Sequence, residues 1–514
     1  MEIDSSLFAL KNAPEETFAS FGKKSSQLKN AFRRFAAHKA SLIGLFTLLF
    51  LFLYALITSI ASPFAHVNQE TFKVDAKPFA NAQPKMSCFD GSGFYDGTVE
   101  KKIGDALYYV YLGYDTSKAP IRKDYGKVYD EEGIHALHRV IIDTYAVGAK
   151  YVTLDEKAYH SLLDYASKTG ERVILPRIDY SDYLAEFASS LNDRPNKEEI
   201  VSKLRDNYVA NPNFNYKAAL LQGANSPIFV PLLNASGEIE RLSHVGDDQA
   251  LIENGLYRVR VDYPLYFRYV YGFEPVFLFG SNQDGYDLFF RLAQGLLFSL
   301  ALGTGVTIIN LAIGLIYGAV EGYYGGKVDL LMQRFSEIAS GLPSMVLLTL
   351  FNMMFAHANN IPPAMGIVLG LLCGFVLTGW IGVSGTTRMQ FYRHKNREYV
   401  LASRSLGAKD GRIIFKHIFP NAIGTIITNS VLMIPGVIFS ESTLSYLGII
   451  SFSFSGLNSV GVLLSEGSAT LGYAESYLLF FPCLAISLLM VAFHLLGDGL
   501  RSAFASSEAI GGGV

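Results

Sequence analysis

Apolar stretches long enough to cross a bilayer recur along the chain and predict its architecture. A helix needs about 20 apolar residues to span the hydrocarbon core, because its backbone polar groups must be satisfied within the segment. Six stretches meet this need, and the third and fourth share one uncharged run that folds back at the polar break His357–Pro363. The predicted spans are 42–60, 292–320, two within 338–387, 422–440 and 477–497.

Small residues at four-residue spacing indicate that these helices form a bundle, since such ridges allow close approach. They are Gly314, Gly318 and Gly322 in the second span and Gly366, Gly370 and Gly374 in the fourth. Two acids, Glu441 and Asp498, fall near the ends of spans. Snorkelling or capping is the expected explanation for both.

Basic residues are concentrated in some of the loops, and they set the expected orientation. The loop 386–421 carries eight Lys and Arg residues, whereas the loops 357–363 and 448–476 carry none. Positively charged short loops stay in the cytoplasm. We therefore expect a multi-pass protein of the cell (inner or plasma) membrane with both termini cytoplasmic. A signal peptide is an alternative for the first stretch, but that stretch is long enough to span and begins only after residue 41.

The long segment between the first two spans is expected outside the cytoplasm. Residues 67–287 carry 32 acidic and 24 basic residues and show mixed patterns. Residues 151–176 predict a strand, a helix capped by Asp155 and stopped at Gly170, and a second strand. Residues 196–208 predict a helix, 226–243 a hairpin around Asn234–Gly237, and 256–263 a strand. An α+β domain follows.

Composition changes this picture only by exclusion. Half of the 514 residues are hydrophobic, 17% are charged, the net charge is −3 and there are three cysteines. The net charge argues neither for nucleic acid nor for an acidic ligand, and no nucleic-acid partner is expected. Three cysteines are too few for a disulfide framework or a cysteine-built zinc site. No catalytic motif stands out in the external segment. His135 and His138 are spaced to share a helix face, and a solvated face is the better interpretation than a metal site.

The loop 386–421 contains the most informative local pattern. Residues 397–421 predict two short amphipathic helices joined by a turn. The first is expected to end at Leu406 with Gly407 as its left-handed cap. Asp410 is expected to cap the second helix and Pro420 to stop it.

This loop resembles that of the permease subunits of binding-protein-dependent ABC importers, which reads E-A-A, three residues, G, nine residues, I-x-L-P. The matching positions are Leu401–Ser403, Gly407 and His417–Pro420, with Leu401 in place of the family's Glu. Four further segments resemble the second permease type of the dipeptide and oligopeptide (peptide/nickel) branch. They are FGSNQDGYDLFFRL (279–292), GYYGGKVDLLMQR (322–334), ESTLSYLG (441–448) and LLGDGLR (495–501).

The resemblance implies a type I importer permease core and a subunit that is not itself an enzyme. It also implies a sister permease, two ATPase subunits that bind ATP and magnesium, and an external substrate-binding protein; no cofactor is expected on this chain. No Walker A loop is present, since EGYYGGKV lacks the first glycine and the final Ser or Thr. The residues implied to couple to the ATPase are Glu398, Leu401, Ala402, Ser403, Gly407, Ala408, Lys409, Asp410, Arg412, Phe419 and Pro420.

The expected function is therefore ATP-driven import of di- or oligopeptides by alternating access. Nickel, haem or another small solute is an alternative cargo. Two other classes are a membrane-anchored receptor and an ion-driven transporter, and the latter would place ionisable residues in mid-membrane. The expected fold is six transmembrane helices plus an α+β domain. Its parts are a cytoplasmic segment 1–40, helix 41–62, the extracytoplasmic insertion 63–287, the permease core 288–505 and a tail 506–514.

Overall fold

The structure is a computed structural model. It describes residues 27–61, 81–104, 108, 120–129, 136–146, 149–171, 173–175, 230–233, 239–243, 250–253, 256–274, 276–356, 358, 360–450, 452 and 457–510. We number the helices within these ranges in chain order. They are α1 (Gln27–Ala37), α2 (Lys39–Ala61), α3 (Glu156–Thr169), α4 (Tyr263–Tyr271), α5 (Leu288–Tyr324), α6 (Gly326–Ser340), α7 (Ser344–Ala356), α8 (Pro363–Lys395), α9 (Glu398–Ser405), α10 (Asp410–Arg412), α11 (Phe419–Val431), α12 (Met433–Tyr446), α13 (Val460–Ser468) and α14 (Tyr477–Ile510).

The strands of the described residues form antiparallel sheets. They are β1 (Thr98–Gly104), β2 (Ile121–Tyr129), β3 (Ala136–Asp143), β4 (Ala149–Leu154), β5 (Ile174–Leu175), β6 (Val230–Leu233), β7 (Ile239–Ser243), β8 (Ala250–Glu253) and β9 (Leu256–Asp262). One sheet has the order β1-β3-β2, a second has the order β4-β9-β5 with β8 also paired to β9, and β6 pairs with β7.

Within the described residues, five helices are long and apolar enough to cross a membrane. They are Lys39–Ala61, Leu288–Tyr324, Pro363–Lys395, Asp410–Tyr446 and Tyr477–Phe504. A sixth span arises if α6 and α7 are counted together, and the two are bent by 71°. Pro343 lies in the break between them, where its missing N–H and its ring interrupt the helical ladder. Counted in this way, the third span is a bent pair that begins at Gly326, before the uncharged run 338–387 in which the sequence predicted it.

The chain forms two compact units. One, the membrane unit, comprises Met1–Ile57, Gln294–Ser465 and Cys483–Val514. The other, the sheet unit, comprises Thr58–Ala293 and Glu466–Pro482. The sequence did not indicate that Glu466–Pro482, which includes the start of the last span, belongs to the same unit as Thr58–Ala293.

The glycine ridges of the membrane unit are helix contacts. A Cβ built on Gly314 or Gly318 would lie 2.6 or 2.3 Å from a backbone carbonyl oxygen of α8. On α8 itself, a Cβ on Gly366 or Gly370 would lie within 2.6 Å of α7 backbone atoms. Only glycine permits helices to approach this closely, so the bundle predicted from the spacing is confirmed at these positions.

Replacing Gly318 by alanine is expected to destabilise the membrane unit by about 1–3 kcal/mol, because overpacking forces helices apart. The new Cβ would meet the carbonyl oxygen of Ser384 at 2.3 Å. Gly305, on the same helix, is the matched control, since a Cβ there meets no atom of the described residues within 4 Å. Thermal melting in detergent makes the comparison. Equal midpoints for the two alanine variants would contradict this account of the ridge.

The sheet unit confirms several sequence predictions. Asp155 accepts a hydrogen bond from the N–H of Ala158 at the start of α3, and Gly170 adopts φ +70° at its end. The hydrophobic core lies between α3 and β9, where Leu162, Val259 and Val261 are fully buried. The paired strands β6 and β7 confirm the hairpin, whose turn at 234–238 lies outside the described residues, as does the helix predicted for 196–208.

The prediction of a helix face shared by two histidines is wrong at His138. This residue lies in β3 and is buried, with the ring of Tyr108 stacked on its imidazole at 3.6 Å. Alternation in ALHRVIID gives β3 its strand character, and the buried face includes Val140 and Ile142. His135 lies outside the described residues.

Candidate functional site

The loop between α8 and α11 is built as one helix, a turn and a second helix. α9 ends at Ser405, and Gly407 adopts φ +79°, the left-handed conformation that glycine tolerates without strain. The predicted glycine cap is therefore confirmed.

Two details of this prediction are wrong. Asp410 is the first residue of α10 and makes no capping hydrogen bond. Pro420 does not stop the second helix, because a π-helical turn, Ile413–Ile418, runs from α10 directly into α11. Proline is tolerated in the first turn of α11, where its missing N–H costs little.

The inner face of the loop is anchored by apolar side chains. Val400, Ile413 and Ile418 are fully buried and pack with Phe391 of α8 and Tyr323 of α5. Burial of a whole aliphatic side chain stabilises by about 1.5–3 kcal/mol. Both halves of the loop are thus fixed to the ends of two membrane helices.

Polar contacts add to this anchor. The Tyr323 hydroxyl donates to Oδ1 of Asp410 at 2.6 Å, and Arg404 lies 3.5 Å from the same hydroxyl. Burial raises the pKa of Tyr399, whose hydroxyl accepts a hydrogen bond from Asn421 at 3.5 Å. Asp410 therefore has a partner within the protein while remaining exposed at the surface of the loop.

The outer face of the loop presents large apolar groups. Leu406 is 88% exposed, Phe415 is 71% exposed and Leu401 is 46% exposed. These three side chains are thus available for contact with another molecule. Of the eleven residues identified from sequence, Glu398, Leu401, Ala402, Gly407, Lys409, Asp410, Arg412 and Pro420 are exposed, while Ser403, Ala408 and Phe419 are half-buried.

A charged network near the same helix ends was missed by sequence reasoning. Arg388 of α8 donates through Nε and Nη2 to the two carboxylate oxygens of Asp329 at 2.5 and 2.8 Å. The Tyr392 hydroxyl donates to Asp329 at 2.6 Å, and Glu321 lies 3.4 Å from Arg388. The network ties α5, α6 and α8 together. Its only sequence signal was the position of these charges next to predicted spans.

A second cluster surrounds Glu441 of α12, which is fully buried. Its carboxylate accepts hydrogen bonds from Ser299 of α5 at 3.0 Å and from Ser445 at 2.9 Å, and Ser459 is a further hydrogen-bond partner. The expectation of snorkelling or capping is wrong for Glu441, which joins three segments of the membrane unit. Asp498 is exposed.

Replacing Glu441 by leucine is expected to lower the melting midpoint in detergent by several degrees. The change leaves serine hydroxyls in an apolar interior without their acceptor, at about 1–3 kcal/mol for each unsatisfied group. The Glu441→Gln variant keeps the shape of the side chain and one acceptor oxygen, and its melting midpoint should be close to that of the unmodified protein. Equal losses for both variants would show that the charge, rather than hydrogen bonding, holds the cluster.

Two family models match the chain. Residues 283–507 match the model described as "Binding-protein-dependent transport system inner membrane component". Residues 26–84 match the "N-terminal TM domain of oligopeptide transport permease C". Residues 85–282, which include most of the sheet unit, lie between the two matches.

Individual relatives match over the same core. The dipeptide transport system permease protein DppC of Bacillus subtilis is 40% identical over 226 residues, which are 44% of this chain and 67% of the relative. The chain belongs to the binding-protein-dependent transport permeases. The oligopeptide transport system permease protein OppC of Haemophilus influenzae is 37% identical over 230 residues, 45% of this permease and 70% of the relative.

A solved structure also resembles the permease. It is titled "Inward facing conformations of the MetNI methionine ABC transporter" and matches with a TM-score of 0.33 and 14% identity, over 41% of the permease and 96% of that chain.

Family membership confirms the permease core expected from the four motifs. It does not favour the receptor or the ion-driven transporter.

Proposed function

We propose that the permease imports peptides. Its relatives are named as permeases of dipeptide and oligopeptide transport systems. The observation that carries the proposal is the 40% and 37% identity to dipeptide and oligopeptide permeases of Bacillus subtilis along the membrane core. The match of residues 26–84 to the first domain of an oligopeptide permease supports the same cargo class.

The permease subunit itself hydrolyses no ATP in this proposal. Its nearest approach to a Walker A loop, residues 321–328, has Glu321 where a glycine is needed and Val328 where a hydroxyl would bind magnesium. Two ATPase subunits hold ATP and magnesium. A sister permease completes the membrane part, and an external binding protein delivers the peptide.

The loop 386–421 is the proposed contact with the ATPase. Its buried face fixes it to α5 and α8, and its exposed face offers Leu406 and Phe415 for insertion into an ATPase cleft. Lys409 and Arg412 lie exposed beside them. Because the loop is anchored to both helices, a displacement of the loop on closure of the ATPase pair moves α5 and α8 together. Leu401 supplies apolar contact where the family has a carboxylate.

The orientation follows from the same assignment. With the ATPase in the cytoplasm, the basic loop 386–421 and both termini face inward in the cell membrane, in accord with the positive-inside rule. The insertion 63–287 then lies outside, on the side from which peptides arrive.

Purification from the native membrane in mild detergent, followed by reconstitution in liposomes, tests the proposal. We expect two ATPases and a second permease to co-purify. Added binding protein should then drive uptake of labelled peptide that requires ATP hydrolysis. The matched control replaces ATP with a non-hydrolysable analogue. A stably folded chain that purifies alone would refute the importer complex. A complex that transports another solute but no peptide would refute the peptide cargo.

A further inference from the structure

The segment 466–482, which leads into the last membrane helix, is held by other parts of the sheet unit. The Tyr477 hydroxyl donates to the carbonyl oxygens of Ser281 at 2.7 Å and Ala82 at 3.0 Å. A Cβ on Gly280 would lie 2.5 Å from the Tyr477 ring, and the rings of Phe279 and Phe481 stack at 4.0 Å. The start of α14 is therefore fixed against residues that lead into α5.

The two acidic residues of the segment 466–482 pair with basic side chains from other parts of the chain. Residues 448–476 contain two acids, Glu466 and Glu475, and no Lys or Arg. Glu466 is paired with Arg291 of α5 by two hydrogen bonds, of 2.5 and 2.7 Å. Glu475 is paired with Lys101 of β1, whose Nζ lies 2.8 Å from Oε1.

The ion pair between Lys101 and Glu475 joins a part of the chain that the family models match to a part that they do not match. Glu475 lies in the matched range 283–507, whereas Lys101 lies in the unmatched residues 85–282. The side chain of Glu475 is 13% exposed, so its charge is only partly screened by water and depends on its partner.

The β1-β3-β2 sheet that carries Lys101 is itself anchored close by. Tyr145, which follows β3, donates from its hydroxyl to the carbonyl oxygen of Gln83 at 3.0 Å and accepts from the N–H of Phe277 at 3.2 Å. Its ring is buried together with Ala82 and Phe277. The sheet that carries Lys101 is therefore held in place by the contacts of Tyr145.

We propose that Lys101 is a positioning residue for transport, through which the insertion holds the segment 466–476 in the conformation that the external binding protein meets. This rests on the proposed function, since it requires the segment to lie outside and a binding protein to dock there. Lys101 touches no cargo in this proposal. It acts through Glu475, and the insertion becomes a working part of the permease rather than an appended domain.

The test uses the assembled complex in lipid nanodiscs and measures the concentration of binding protein that half-saturates ATP hydrolysis. Lys101→Glu should raise this concentration about three- to tenfold, because attraction is replaced by repulsion. The double variant Lys101→Glu with Glu475→Lys should return it to within about twofold of the unmodified complex. Lys102→Glu, the same charge change at the next, exposed position of β1, should leave it unchanged.

The outcomes separate the possible failures. A Lys101→Glu complex with an unchanged half-saturating concentration, or a charge-swapped pair that shows no recovery, overturns the proposal. A purely structural ion pair would lower the melting midpoint of Lys101→Glu without moving the half-saturating concentration, which also overturns it. If the unmodified complex shows no stimulation by any binding protein, the proposed function itself fails and this inference with it.

Discussion

Replacing Gly407 by tryptophan is expected to reduce substrate-stimulated ATP hydrolysis by the assembled complex at least tenfold, with little change in the amount of complex. Gly407 lies at the tip of the proposed ATPase contact with φ +79°, and a Cβ there meets no atom of the described residues within 4 Å. The Cβ therefore has open space in the subunit, and we expect the bulky ring beyond it to occupy the space that a partner needs. The left-handed backbone adds about 1–2 kcal/mol of local strain.

Two further variants separate steric blocking from strain. Gly407→Asn places a small side chain that tolerates the left-handed conformation and should keep most of the stimulation. Gly170→Trp introduces the same ring at another helix-ending glycine, with φ +70° and open space around its Cβ among the described residues. It should leave hydrolysis unchanged. A Gly407→Trp complex with normal stimulation would remove the loop from the coupling route.

Replacing Asp329 by alanine is expected to have the second large effect, on both stability and coupling. Arg388 would lose two charge-assisted hydrogen bonds and Tyr392 its acceptor. Glu321, at 3.4 Å, and the Tyr392 ring, at 5.1 Å, would remain beside the guanidinium. Removing one partner of a buried pair costs about 3–5 kcal/mol, and the 31% exposure of the Arg388 side chain reduces this to about 1–3 kcal/mol.

The measurement is a double-mutant cycle of Asp329→Ala and Arg388→Ala, read by thermal melting and by ATP hydrolysis. We expect a coupling energy of about 1–3 kcal/mol, since the residues share one network. Glu337→Ala is the matched control on the same helix, because its pair with Arg334 is solvent-exposed and exposed pairs contribute about 0–1 kcal/mol. Additive losses across the cycle would mean that the network does not tie α6 to α8.

Several features were predictable because they are properties of short stretches of chain. A membrane span is set by the number of apolar residues in one run, and α2, α5 and α8 were found where those runs lie. The cap at Gly407 and the helix between Asp155 and Gly170 follow from the conformational preferences of single residues. The four motifs likewise led to the permease family.

Other features depend on residues that are distant in sequence, and local patterns could not reveal them. Asp410 was expected to cap a helix, but its acceptor is used by Tyr323, 87 residues earlier. Pro420 was expected to stop a helix, but the π-helical turn before it continues the chain into α11, where the proline falls in a first turn. In each case the local tendency was real, and a tertiary contact or the preceding turn decided the outcome.

The sequence by itself therefore determined the spans α2, α5 and α8, the basic loop and the family, because each depends on local apolar content, charge or spacing. Only the tertiary structure decided the partners of the charged groups. Arg388 pairs with Asp329, Glu441 is surrounded by serines and Glu475 is held by Lys101, in each case across segments that the chain path brings together. A buried charge requires a compensating group. Which group supplies it depends on the packing of whole helices and sheets, which no single stretch of sequence specifies.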